Sequence, residues 1–142
     1  MSECMPCGLE TAAEETIIYR DEDWSCEMVE GYDAPGWFIL RLRRHAEGWH
    51  EPTAEELAGF GPVSQRIVAA IREATGATGA YFMSFGENYP HFHFLVIGRP
   101  ADLPADRRGA AILAAREELR DREAALATAE AVRRALAEAP AA

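Results

Sequence analysis

The sequence predicts an α+β fold built on an antiparallel sheet, and three observations predict it. Short runs rich in β-branched and aromatic residues are separated by turn residues. A central stretch carries apolar residues at helical spacing. From Leu103 onward the chain is rich in Ala, Arg and Glu, a composition of strong helix formers. The order is strands, helices, strands and a terminal helix, with no internal repeat, and that order points to an α+β arrangement.

Thr16-Ile17-Ile18-Tyr19-Arg20 reads as the first strand, and Ser25 to Glu30 as a second strand candidate. Tyr32-Asp33-Ala34-Pro35-Gly36 is a turn by its Asp, Pro and Gly. Trp37 to Arg43 follows as a strand whose end alternates, with Leu40 and Leu42 on one face and Arg41 and Arg43 on the other. Thr53-Ala54-Glu55-Glu56 is a capping-box pattern and starts a helix, which Gly59, Gly61 and Pro62 should interrupt. A second helix should begin with Pro62 in its first turn. Val63, Ile67, Ala70, Ile71 and Ala74 form its apolar stripe, and Gly76 ends it. Tyr81 to Phe85 is a strand, and Gly86 to Pro90 is a short hairpin-like loop. The next strand is Pro90-His91-Phe92-His93-Phe94-Leu95-Val96-Ile97. Alternation there puts His91 and His93 on one face and turns Phe92 and Phe94 into a core. In the last third, Ile112, Leu119 and Leu126 recur every seven residues, and Val132 and Leu136 extend that face. This reads as a long helix, with Asp121 as the place for a break, packed on the body or on a partner. A dimeric coiled coil is the sharper alternative.

Composition narrows the function. A chain of 142 residues is one domain. The net charge of −10 argues against a nucleic-acid binder that neutralises phosphates over a broad surface, but leaves room for a small nucleotide in a local pocket. All 14 basic residues are arginine, which removes P-loop and Schiff-base chemistry, since both need lysine. No apolar run is long enough to span a bilayer. Met1-Ser2-Glu3-Cys4 has neither the basic nor the apolar region of a signal peptide, so a cytoplasmic protein is expected. Cys26 reads as a small buried apolar residue.

Two features carry chemistry. Cys4 and Cys7 form a CxxC pair, and His45, His50, His91 and His93 are available to complete a tetrahedral zinc site; the plain alternative is two ordinary thiols. Two imidazoles side by side, at His91 and His93, suit a metal site, a nucleophile, or one of each.

The run Gly86-Glu87-Asn88-Tyr89-Pro90-His91-Phe92-His93-Phe94-Leu95-Val96-Ile97-Gly98-Arg99 resembles the signature strand of the histidine triad (HIT) superfamily, in which three histidines alternate with apolar residues. Ile17 to Glu22 is similar to the family's opening strand and turn. Ala34 to Leu40, ending at Arg43-Arg44-His45, resembles its strand with a basic-residue-plus-histidine corner, and Thr53 to Leu57 resembles the helix start that follows. The resemblance covers about residues 4 to 100, in order and spacing.

The resemblance implies a HIT-like antiparallel sheet of about five strands with a packed helix and a long C-terminal helical segment. It divides the chain into a zinc-binding segment at 1–15, a core domain at 16–100 and a helical extension at 101–142. It implies that His93 is the nucleophile that forms a covalent nucleotidyl-histidine. Cys4, Cys7, His45 and His91 would hold a structural Zn2+, with His50 as the alternative to His45. Asn88 falls where the family has a donor to phosphate oxygens, although Asn also shapes turns. The chain departs from the pattern at three positions. Leu95 replaces the third histidine. The ribose-binding acid falls on Val29, or on Glu30 with a one-residue slip. Leu42 stands where many members have proline. The expected function is a nucleotide hydrolase or nucleotidyl transferase with altered substrate contacts, acting on a nucleotide or phosphorylated metabolite and paired as a homodimer. Glu30, Glu87 and Asn88 are the candidate substrate contacts. The alternative is a zinc-stabilised scaffold that binds a small molecule without hydrolysis, or one turned to other biosynthetic chemistry.

Overall fold

The structure is a computed structural model that describes residues 4–139. Residues 1–3 of the expected N-terminal segment and 140–142 of the expected extension lie outside the described residues. The chain opens with a one-turn helix, α1 (Met5–Gly8), and a 3-10 turn at Leu9–Thr11. Strands β1 (Ile17–Arg20), β2 (Trp24–Glu27) and β3 (Trp37–Leu42) follow, then helix α2 (Ala54–Thr75) and strands β4 (Gly79–Met83) and β5 (His93–Arg99). All five strands join one sheet in the order β1-β2-β3-β5-β4, and every pairing is antiparallel. The sheet, its strand number and its antiparallel character match the expectation.

Register divides the sheet into two working faces. Leu40 lies opposite Phe94 and Phe38 opposite Val96, so these share one face; Ile39 lies opposite Leu95, Trp37 opposite Ile97 and Arg41 opposite His93 on the other. The first face is buried under α2 and the last helix, in a core that holds Trp24, Cys26, Phe38, Leu40, Phe92, Phe94 and Val96. Cys26 is fully buried, and burial pushes its thiol well above the ordinary range. On the second face, Trp37, Ile39, Leu95 and Ile97 pack with Leu103 and Ile112. Gly98 lets α2 approach the sheet, since a Cβ there would lie 2.6 Å from Ile71.

The expected interruption of the helix at Gly59, Gly61 and Pro62 does not occur, because α2 runs unbroken through all three. An interior proline costs about 3 kcal/mol or more. Packing offsets it. Leu57 and Phe60 lie against the core, and Phe60 meets Trp24 at 5.4 Å and Phe94 at 4.9 Å between ring centroids. Further along the same helix Val63, Ile67 and Ile71 are buried, at about 1.5–3 kcal/mol each. Trp24 also donates from its indole Nε1 to the Glu56 carbonyl at 2.8 Å, with its ring lying beside Gly59. The capping box of Thr53 and Glu56 forms as expected, and Gly76 closes the helix in the left-handed region.

The C-terminal third is less regular than a single long helix. Residues Ala105–Arg107 and Gly109–Ala115 are 3-10, followed by α3 (Arg116–Leu119) and α4 (Arg122–Glu138), with the break at Asp121, whose side chain caps α4. Ala125, Ala129, Val132 and Leu136 of α4 are buried in the chain's own core. That apolar face is therefore used within the chain rather than in a coiled coil. Among the described residues no helix is long and apolar enough to cross a membrane.

Candidate metal centre and active-site cleft

Cys4 caps α1 and Cys7 lies inside it, so a single helical turn turns both sulfurs the same way; the Cys7 amide donates to Cys4 Sγ at 3.4 Å. His45 follows β3, and His91 precedes β5 in an isolated bridge to Glu47. His91 thus lies just ahead of the strand rather than within it. The Nδ1 atoms of both histidines face the sulfurs: Cys4 lies 3.5 Å from His45 and 3.4 Å from His91, and Cys7 lies 3.3 Å from each. The four donor atoms all fall within 4.8 Å of one another. Metal–sulfur and metal–nitrogen bonds of zinc length meeting at a tetrahedral angle put sulfur and nitrogen about 3.6 Å apart. The Cys2His2 donor set fits that geometry.

The surroundings support the same reading. The far nitrogen of each ring is engaged: His91 Nε2 donates to the Leu42 carbonyl at 2.6 Å, and His45 Nε2 donates to the Glu47 carboxylate at 2.9 Å. Such outer hydrogen bonds fix the tautomer that leaves Nδ1 free as a ligand. Burial pushes His91 below the ordinary histidine range, keeping it neutral. Burial and the adjacent Cys4 push the Cys7 thiol up to about 11. A cation between the sulfurs opposes that by stabilising both thiolates. His50 is exposed and outside the group, so His45 is the histidine the geometry selects.

A second set of contacts anchors the N-terminal segment to the sheet. Arg41 is fully buried and grips Glu27, also fully buried, through Nε at 3.0 Å and Nη2 at 2.8 Å. Ser25 and Arg20 also bond Glu27. Glu10 reaches over to Arg43 at 2.9 Å and Arg41 at 2.8 Å, and Arg20 donates to the carbonyls of Leu9 and Glu10. Arg43, then Arg41, hold the Glu10 carboxyl down at about 2, well below the usual carboxylate range. A depressed folded-state pKa contributes stability above the unfolded value near 4.5, and that contribution disappears as pH falls from there towards 2. Thermal melts of Glu10→Gln against the parent chain should therefore differ at pH 6 and converge as pH drops through that window.

Beside these anchors lies a cleft of about 180 Å³. His93 and Leu95 of β5 line it together with Ile39, Met83, Tyr32, Leu113, Met5 and the loop Phe85–Tyr89. The His93 ring is held by a 2.5 Å bond from Nδ1 to the His91 carbonyl. With Nδ1 as the donor, Nε2 keeps its lone pair. Glu87 and Asn88 are exposed on the cleft loop, whose left-handed corner is Gly86 at φ 69°. Glu30 is exposed and does not line the cleft; Tyr32, two residues on, does. Val29 packs against the second-face cluster. Among the described residues no arginine lines the cleft, and Glu87 is the one carboxylate in its lining.

Met5, Tyr32 and Leu113 carry no signature in the sequence, because they reach the cleft from three separate segments. Tyr32 is fixed by the C-terminal strap: Arg116 stacks 4.7 Å over its ring and donates to the Gly31 carbonyl at 2.7 Å, while Arg120 pairs with Asp33 at 2.8 Å.

No protein-family model matches the chain, and no curated protein matches it by sequence. Solved structures do. A hypothetical histidine triad nucleotide-binding protein from Sulfolobus tokodaii is 18% identical with a TM-score of 0.74, over 94% of this chain and 92% of that one. A zinc-bound histidine triad family protein from Mycobacterium smegmatis is 24% identical with a TM-score of 0.70, over 96% and 94%. A uridylyltransferase mutant is 20% identical with a TM-score of 0.71, over 96% of this chain but 48% of that one. The matches span nearly the whole chain, sheet and helices together, and the chain has the fold of the histidine triad proteins.

Proposed function

We propose that the protein is a zinc-bearing nucleotide hydrolase or nucleotidyl transferase that works through a covalent nucleotidyl-His93. The observation that carries this reading is the tethering of the His93 ring to the His91 carbonyl in the wall of a cleft, which leaves Nε2 as a free nucleophile. The Nε2 lone pair attacks phosphorus and an N–P bond forms. The bond from phosphorus to the leaving oxygen or nitrogen breaks, and the leaving atom takes the electron pair and a proton from solvent. Water or an acceptor hydroxyl then attacks phosphorus, loses its proton, and returns the N–P electron pair to Nε2. Asn88 donates its amide to the phosphate oxygens. Cys4, Cys7, His45 and His91 hold the zinc, whose four protein ligands leave no open position, so its part is structural.

The cleft lining supports an altered substrate. With no arginine and one carboxylate in the lining among the described residues, a single phosphate linked to an apolar group suits it better than a polyphosphate chain. Thiolate ligands suit a reducing compartment, which supports a cytoplasmic location. The β4 edge, with Phe85 67% exposed just beyond it, is the proposed homodimer surface. Light scattering of the purified protein tests that assembly.

The reading is tested by mass spectrometry after incubation with adenylated and uridylylated substrates, including a phosphoramidate and a dinucleotide. A nucleotidyl adduct on His93 supports it. Tight binding with no adduct favours the second reading, a zinc-stabilised binding module, which Leu95 supports because its side chain cannot donate to a phosphate. Restoring a donor provides a further test. One lost transition-state donor costs about two to three orders of magnitude in rate. Leu95 also packs with its neighbours, so Leu95→Gln should recover part of that, a gain of about tenfold in kcat.

A further inference from the structure

We infer that the metal centre builds one wall of the cleft by holding Met5 in place, so that metal and cleft ligand bind cooperatively; this rests on the reading of the cleft as a nucleotide site. Met5 lies between the two cysteine ligands and is part of the cleft lining. The segment around it has two anchors of different kinds. Residues 4 and 7 are held by sulfur contacts to His45 and His91. Residues 9 and 10 are held by the ion pairs of Glu10 and by Arg20 on their carbonyls. Between the anchors stands Gly8, exposed and with nothing within 4 Å of where its Cβ would be. Pro6 is buried, and the amides of Gly8 and Leu9 bond back to the carbonyls of Cys4, Pro6 and Cys7, so the turn is also held by its own backbone. Release of the sulfur ligands removes the sulfur contacts that fix the Met5 turn against His45 and His91, while residues 9 and 10 keep their ion pairs.

The chemistry of the side chain fits the role. A thioether on an unbranched chain is apolar, polarizable and adaptable, and it packs well on an aromatic ring. The rest of the lining is mainly apolar, so Met5 closes a surface suited to the flat base of a nucleotide more than to its phosphates. A ligand that touches Met5 binds the metal-loaded form more tightly than the metal-free form. By linkage it must raise metal affinity by the same factor. Losing contact with one methionine side chain corresponds to a weakening of about fivefold to tenfold.

Methyl-labelled methionine in NMR reads this directly, because the chain has only 4 methionines and the three described, Met5, Met28 and Met83, lie in different settings. Met5 and Met83 line the cleft, whereas Met28 is buried in the core away from it. With AMP as the probe and zinc-loaded protein, the Met5 and Met83 methyls should shift and Met28 should not. After chelation, Met83 should still respond and Met5 should not, with AMP binding about fivefold to tenfold weaker. An unmoved Met28 signal reports that the body is still folded. Met5→Ala in the zinc-loaded protein should show the same loss at unchanged zinc content, which removes any dependence on metal-free material. A Met83 response without one at Met5 in zinc-loaded protein overturns the inference alone, as does equal AMP affinity with and without zinc. Silence at both methyls overturns the nucleotide reading and this inference with it.

Discussion

His93→Ala should lower turnover of a phosphoramidate or dinucleotide substrate by at least about three orders of magnitude, the usual cost of removing a nucleophile. The substitution deletes Nε2, the atom proposed to form the covalent intermediate, so the adduct should vanish from the mass spectrum along with the activity. Its structural cost is small. The ring is half-buried and makes one hydrogen bond, to the His91 carbonyl, worth about 1 kcal/mol. AMP binding should persist, because most of the cleft lining is untouched. The variant thus separates chemistry from binding: loss of both would point to misfolding, detectable by a melt. Turnover within tenfold of the parent would sink the nucleophile assignment.

Stripping the metal, or replacing Cys4 and Cys7 by serine, should destabilise the protein without unfolding it. A ligand present at a thousand times its Kd contributes about 4 kcal/mol. At about 3 °C per kcal/mol for a chain of this size, the melting temperature should fall by roughly 12 °C. The body should survive because its two apolar clusters are complete without the N-terminal segment's sulfurs. Metal analysis should find one zinc per chain in the parent and none in the double variant. Zinc that remains after both replacements would refute the ligand set, and a melt unchanged by chelation would refute its structural role.

The sequence carried the candidate metal cluster and the signature strand well because each is local. A CxxC pair and alternating His-Phe-His-Phe constrain geometry over a few residues, so Cys4, Cys7, His91 and His93 were readable without a fold. The resemblance to the basic-residue-plus-histidine corner put His45 ahead of His50, and the folded corner after β3 brings His45 to the two sulfurs. Pro62 and two glycines read as a helix boundary because local propensity is all the sequence exposes. Trp24 and Phe94, which hold the helix together across that point, come from strands dozens of residues away. Glu30 was chosen by counting along the chain, but the cleft takes Tyr32 from that turn, where Arg116 fixes it. The Tyr32–Arg116 pairing is not legible before the strap at residues 103–121 has folded over the sheet.

The ion pair of Glu27 and Arg41 has a consequence for error-proofing. Arg41 lies opposite Ser25 on one side and His93 on the other, flanked along β3 by Leu40 and Leu42. A slip of one residue would turn the guanidinium into the aromatic core and bring a leucine against the Glu27 carboxylate. Stranding two charges in apolar surroundings costs several kcal/mol. The mis-threaded sheet is thereby disfavoured far more than loose apolar packing alone would disfavour it. The position of His93 in the sheet is set by a charge pair that takes no part in lining the cleft.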